Sequence, residues 1–310
     1  MATAATVAPE GESTFLPPEL MAEVRRIEIR ARRLAAALIS GDYRSVFRGA
    51  GIEFTEAREY VPGDDVRSID WNVTARMGTP WVKEYQEERE LNVVSAVDLS
   101  TSQLVARPVS GRLGVAAKIS ALLSFAASIN HDRAGLLTFS DRVERFVPPA
   151  RGTRHVLRLV REVLYHPPPH PGTDIGAACD YLTRVLRRRS IVFLISDLFD
   201  DGYEQSLRAL ARRHEVVAVT LVDPLDLELP EVGLIEVEDA EHGERLLLDA
   251  SDPAVRRRYA RAAQERAEAR RAALASAGVD EVEVRLTDGP AERSYLEPLV
   301  RYFRRRAARR

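Results

Sequence analysis

Three short stretches place oxygen-bearing side chains where an apolar run has just ended or a loop is about to enter a helix. VVSAVDLSTS, residues 93–102, closes on Asp98, Ser100 and Ser102. IVFLISD, residues 191–197, closes on Asp197, and HPGTDIG, residues 170–176, carries Thr173 in a Pro/Gly loop. All five are oxygen donors, with no imidazole or thiolate among them. Such a set suits a hard cation, Mg2+ or Mn2+ in its place, and argues against structural zinc. Mg2+ prefers an octahedral shell and retains water, so the hydroxyls would bind it directly while the carboxylates act mainly through water, leaving one position open. Each residue alone has an ordinary structural role. Asp98 and Asp197 suit strand-end turns, Ser100 and Ser102 are turn hydroxyls, and Thr173 or Asp174 suits a helix N-cap. The ordered set on matching elements favours the cation.

For these residues to meet, the elements that carry them must end at one edge. From residue 91 onward the chain alternates continuous apolar runs with helical patterns. Strands are expected at 91–97, 135–139, 143–147, 191–196 and 216–222, and helices at 111–130, 154–164, 174–186 and 203–213. Continuous apolar strands separated by helices indicate a sheet covered on both faces and mostly parallel, an α/β doubly wound domain. Ligands of such sheets bind beyond the carboxyl ends of the strands, where strand order reverses. Asp98 and Asp197 stand at two such ends. The remainder of the chain gives two short strands near 234–237 and 245–248, a long charged helix over 253–277, a strand at 282–286 and a last helix over 291–306.

The segment before residue 91 has a different texture. Residues 1–16 have little apolar pattern and read as a mobile tail. Pro17 and Pro18 open a helix over 19–39, and residues 43–90 form a small irregular β-rich module punctuated by glycine and proline. Three units follow: the tail, the helix with its β-rich module (17–90), and the α/β domain with its C-terminal helices (91–310). Within the module, PGDDVRSIDW is expected to form a structural polar network through Asp64, Asp65, Arg67 and Asp70, with Trp71 as its apolar anchor.

Composition narrows the function. The 310 residues include 45 basic and 47 acidic side chains, a formal charge of −2, so no global field argues for nucleic acid or an anionic membrane. The arginine cluster at 301–310 is expected to be a solvated tail. Cys179 is the single cysteine, which rules out a disulfide within the chain and fits a reducing compartment. No run is expected to reach membrane-spanning length, and the acidic, proline-bearing N-terminus lacks the form of a signal peptide. The expected location is the cytoplasm. No nucleotide-binding or nucleophile motif is complete: GAG at 49–51 lacks the third glycine, and no histidine stands with a Ser or Cys in a recognisable arrangement.

The DxSxS spacing, Asp98-Leu99-Ser100-Thr101-Ser102, resembles the metal-ion-dependent adhesion site of von Willebrand factor type A domains. The resemblance implies that Ser100, Ser102 and Thr173 coordinate the metal, that Asp98 and Asp197 hold its waters, and that a partner's Asp or Glu fills the open position. A second resemblance covers more of the chain. YRSVFRGAGIEFTEAREYVPGDDVRSIDWNVTARMGTPWVKEYQEERE, residues 43–90, resembles the signature of the bacterial family called domain of unknown function fifty-eight, in which it precedes a von Willebrand A-like domain. SYLEPLVRYFRRR, residues 294–306, resembles that family's C-terminal helix. Members often accompany MoxR-type AAA+ ATPases, which implies an adaptor or co-chaperone whose partner is such an ATPase or its client. The competing expectation is a Mg2+-dependent phosphohydrolase using Asp98 and Asp197. Such enzymes of the haloacid dehalogenase type place a second Asp two residues after the nucleophile, as acid or base, and here that position is Ser100.

Overall fold

The computed structural model describes residues 18–38, 51–88, 90–100, 111–165, 172–238, 245–286 and 291–308. The expected tail at 1–16 and Ser102 lie outside the described residues.

The centre is a six-stranded sheet built from β3 (Asn92–Asp98), β4 (Arg133–Phe139), β5 (Val143–Ala150), β6 (Ser190–Ser196), β7 (Glu215–Val222) and β10 (Asp280–Arg285). Its order is β10-β7-β6-β3-β4-β5. Every pairing is parallel except that of the edge strand β5 with β4. The expected doubly wound, mostly parallel α/β fold is thus the observed one. The period-2 alternation of strand side chains divides the interior into two cores. Val93 and Val97 of β3, with Phe193 and Ile195 of β6, face one core; Val94 and Ala96, with Val192 and Leu194, face the other. This explains why these strands read as unbroken apolar runs.

The first core is covered by the helices Pro18–Leu38, Arg112–Ile129, Thr153–Tyr165 and Ala291–Ala308, and the second by Ile175–Val185, Glu204–Arg213 and Pro253–Ala277. Arg112–Ile129 is the middle helix of its layer, and Ala117, Ala121, Leu122 and Leu123 are among its fully buried residues. By length and apolarity this segment alone among the described helices passes as a membrane span, contrary to the expectation that no run comes near one. It is 78 % buried inside the protein. A helix apolar on most sides is what the centre of a layer demands, because it packs against the sheet and against neighbours on both flanks.

β5 extends three residues past the expected end, through Pro148 and Pro149 to Ala150. Proline is tolerated there because β5 is an edge strand with one side free of ladder bonds. Two further pairs lie apart from the main sheet: β1 (Gly51–Glu59) with β2 (Trp81–Glu88), and β8 (Leu234–Glu238) with β9 (Arg245–Asp249).

In the module between β1 and β2 the expected acids do form a polar network, with Arg58 and not Arg67 as the cation that pairs with Asp64. Arg58 donates two bonds of 2.7 Å to Asp64, and this guanidinium, with the Val61 N–H, holds the Asp64 carboxyl down at about 2. Asp65 caps the short 3-10 turn and Asp70 caps the Trp71–Met77 helix. The expected anchor is not Trp71, which is 68 % exposed. Trp71 is the first residue of a two-turn helix whose start is fixed by Asp70, and this turns its ring outward. Among the described residues of the module the buried apolar side chain is Val82, on a strand bridged to Ile69.

The arginine cluster also needs correction. The Ala291–Ala308 helix docks with Tyr295, Leu299, Tyr302 and Phe303 buried, which carries Arg306 onto Glu215 and to within 3.8 Å of Asp280. Arg306 is therefore part of a partly buried ion cluster and not of a solvated tail.

His214, at the end of the Glu204–Arg213 helix, is buried, and neither ring nitrogen has a hydrogen-bond partner. Burial, then the charges of Arg213 and Arg189, pushes its pKa below the ordinary 6.5. A base whose folded pKa is depressed contributes stability that is complete above the unfolded value and is lost as pH falls through the folded one. Urea midpoints are therefore expected to fall between pH 7.5 and 5.5 more steeply in the wild type than in His214→Leu; equal slopes would show that folding leaves the His214 pKa unchanged.

Candidate metal site

β3 has β4 on one side and β6 on the other, and the chain leaves β3 for β4 before returning to build β6. The carboxyl ends of β3 and β6 therefore flank the point where strand order reverses, which in this architecture opens a crevice. Asp98 is the last residue of β3 and Asp197 follows the last residue of β6. Their exposures are 0 % and 1 %.

Backbone and hydroxyl groups fix both carboxylates. Asp98 Oδ1 accepts from the Ser100 N–H at 2.8 Å, and Oδ2 accepts from the Ser196 hydroxyl at 2.7 Å. The Ser100 hydroxyl also bonds to Asp98. Ser196 Oγ accepts from the Leu198 N–H at 2.9 Å, and Asp197 Oδ1 from the Phe199 N–H at 3.2 Å. Leu198 takes a left-handed conformation, φ 59°. A branched residue adopts that region only under constraint from its surroundings. The turn it makes folds the chain back over Ser196, so the strain sits where the two acids are positioned.

Burial, and then the charge of Asp197, pushes the Asp98 pKa upward; the bonds from Ser196 and Ser100 work against that rise without cancelling it. Two carboxylates held close in a low-dielectric edge repel each other, and a cation between them relieves both the repulsion and the lost hydration.

The loop bearing Thr173 is pinned on both sides of Asp98. The Asp174 N–H bonds to Ser140 O, just beyond β4, at 2.8 Å. The Ile175 N–H bonds to Asp200 Oδ2, just beyond Asp197, at 2.8 Å. Asp174 caps the following helix through Ala177, so capping does not require Thr173. The Thr173 hydroxyl is itself buried with no hydrogen-bond partner. A buried hydroxyl without a partner costs about 1–3 kcal/mol, and a metal shell would satisfy it.

Asp98, Ser100, Thr173 and Asp197 thus come to one edge of the sheet. Among the described residues no group of three or more His, Cys, Asp or Glu side chains surrounds a common point. The expected donor set is of a different kind, two carboxylates completed by hydroxyls. It fits Mg2+ or Mn2+ in chemistry, through the all-oxygen donors and the partnerless Thr173 hydroxyl.

Sequence reasoning passed over Ser196, Asp200 and Arg112. Ser196 precedes Asp197 directly, and a hydroxyl adjoining a strand-end acid was the available signal. Arg112 is 7 % exposed, donates through Nη2 to both carboxylate oxygens of Asp226, and brings Nη1 to 3.8 Å from Asp197 Oδ2. Its signal was a cation at the first position of an otherwise apolar helix, where the helix dipole disfavours positive charge.

A sheet of this order defines the class, a doubly wound α/β protein with two buried acids at the carboxyl ends of β3 and β6. The chain belongs to the DUF58 family, described as proteins of unknown function, which matches residues 56–269. It is 36 % identical over 250 residues to the uncharacterized proteins Rv1480 of Mycobacterium tuberculosis and Mb1516 of Mycobacterium bovis, covering 79 % of this chain and 78 % of each relative. Similar solved structures include BatB from Bacteroides thetaiotaomicron, with 18 % identity, TM-score 0.43, and coverage of 70 % of this chain and 99 % of BatB. Another is the VWA domain of SpRpn10, with 15 % identity, TM-score 0.37, and coverage of 69 % and 95 %. At these scores the strand order, and not the likeness, defines the fold.

Proposed function

We propose that the chain is a divalent-cation-dependent protein-interaction module, an adaptor or co-chaperone whose partner presents an Asp or Glu to the metal edge. One observation carries this reading: two fully buried carboxylates, Asp98 and Asp197, stand at the switch point of the sheet beside a buried hydroxyl, Thr173, that has no partner. Ser100, Ser102 and Thr173 would hold Mg2+ or Mn2+ directly, and Asp98 and Asp197 through water. Bound there, the ion offers a coordination position to a carboxylate oxygen. Exclusion of water at an interface strengthens that attraction. The chain's own residues do the positioning: Ser196 and the Ser100 N–H orient Asp98, the Leu198 turn orients Asp197, and Asp200 and Ser140 hold the Thr173 loop. The family resemblance nominates a MoxR-type AAA+ ATPase or its client as the partner.

Pull-down of a purified MoxR-type ATPase from the same genome is the test. Retention is expected in Mg2+, with loss in EDTA and with Thr173→Ala; retention that is equal in all three conditions would remove the metal edge as the binding surface. A generic phosphatase substrate is expected to show no turnover in Mg2+, because the position two residues beyond Asp98 is Ser100, engaged with Asp98 itself. Turnover abolished by Asp98→Asn would replace the interaction reading with a phosphohydrolase.

A further inference from the structure

Arg112 opens the Arg112–Ile129 helix and is almost entirely buried. Two effects oppose a cation in that place: the loss of hydration, and the positive end of the helix dipole. Carboxylates compensate. Arg112 Nη2 donates to both oxygens of Asp226, and Nη1 lies 3.8 Å from Asp197 Oδ2. Asp226 is itself anchored, since its carboxylate accepts from the Asp223 N–H at 2.9 Å within the capping box of the Pro224–Leu227 helix. The Tyr259 hydroxyl donates to Leu225 O at 2.8 Å and ties that short helix to Pro253–Ala277. One guanidinium is thereby shared between an acid of the candidate metal site and an acid of a neighbouring helix.

Resting on the reading of a cation site at Asp98 and Asp197, we propose that Arg112 is the resident counter-cation of that site. It sits against Asp197 and lowers the affinity for a divalent ion, and Asp226 sets how strongly it does so. The reason is competition. A divalent ion drawing on the Asp197 carboxylate meets a fixed positive charge already drawing on it, and the two cations repel across a desolvated edge. Asp226 relieves that repulsion by holding the guanidinium on its far side and neutralising it. Arg112 is thus a positioning residue, and the affinity of the site becomes a property of the Pro224–Leu227 helix as well as of the site's own oxygen donors. A partner that shifts that helix would change the metal affinity without touching the metal.

Removing the guanidinium and removing the Asp226 charge that holds it are predicted to have effects of opposite sign, which a purely structural role for Arg112 does not predict. The experiment is calorimetric titration of the full chain with Mn2+ and with Mg2+, together with melting of each metal-free protein to establish that it is folded. Arg112→Gln is expected to tighten Mn2+ binding roughly tenfold, and Asp226→Asn to weaken it by about threefold to tenfold by freeing the guanidinium to press on Asp197. Arg112→Lys, which keeps a cation, is expected to bind within about threefold of the wild type. Arg112→Gln and Asp226→Asn moving the affinity in the same direction, or neither moving it, would overturn the inference. If Arg112→Gln fails to fold, Asp226→Asn decides alone: weakened Mn2+ binding supports the inference, and unchanged or tighter binding overturns it. Asp98→Asn separates this failure from failure of the site: binding equal in wild type and Asp98→Asn removes the metal reading itself. Binding that appears only in Arg112→Gln would support the inference at full strength, and binding in no variant would overturn both.

Discussion

Asp98→Asn is expected to abolish the rise in melting temperature produced by Mg2+ or Mn2+ while leaving the metal-free protein as stable as the wild type, or more so. The substitution is isosteric. Its carbonyl oxygen can still accept the Ser100 N–H, and its amide can face Ser196 Oγ, so the cost is that of rearranging the bonds from the Ser196 and Ser100 hydroxyls, about 1 kcal/mol each. Against that stands the removal of a buried negative charge from beside Asp197, which is favourable in a low-dielectric edge. Ion binding to the wild type at a hundredfold excess over Kd contributes about 2.7 kcal/mol, or several degrees in a chain of this length. Thermal melts of both proteins with and without Mg2+ provide the measurement. The same metal-induced rise in both would remove Asp98 from the site; a metal-free mutant that melts far below the wild type would show that the buried acid serves the fold.

The second large effect is expected at the other end of the chain. Phe303→Ala should lower unfolding stability by about 3–5 kcal/mol. Its ring is fully buried and meets Phe193 of β6 edge-on at 6.5 Å and Tyr302 at 5.4 Å. Two aromatic contacts and a filled volume are lost together, and the Ala291–Ala308 helix has little room to collapse over a rigid sheet. Arg301→Ala, on the exposed side of the same helix, is expected to stay within about 0.5 kcal/mol. Urea denaturation of the two variants would separate a core helix from an appended one, and equal midpoints would contradict the docking.

The order of elements after residue 91 was legible because its punctuation is strong. Pro253–Ala277 matches the expected span at both ends, since Asp252-Pro253 caps its start and Gly278, at φ 71°, ends it. β6 was visible as IVFLIS, an apolar run that only a doubly covered strand can use. What the sequence did not carry was relations between distant residues. Nothing in IVFLISD indicates that Asp197 adjoins Asp98 and not the end of another strand, because sheet order depends on how helices pack over both faces. Arg112 and Arg306 were illegible for the same reason. An arginine in sequence reads as a solvated charge, and only the partners Asp226 and Glu215, 114 and 91 positions away, bury Arg112 and partly bury Arg306. Trp71 failed in the opposite direction, because a large ring beside charged residues suggests an anchor while its place in a short capped helix turns it outward.

The strand order has a consequence for how the protein is made. β3 occupies the middle of the sheet, yet its neighbour β6 is synthesised about ninety residues later, and Phe303, which seals the face of β6, later still. Parallel pairing at such separations must spend loop-closure entropy before any contact repays it. During translation β3 and the apolar Arg112–Ile129 helix therefore emerge well before the surfaces that bury them. At elongation rates of roughly 5–20 residues per second that interval is on the order of ten seconds or more. For that time the nascent chain presents a strand edge and an apolar helix without the elements that cover them in the folded protein.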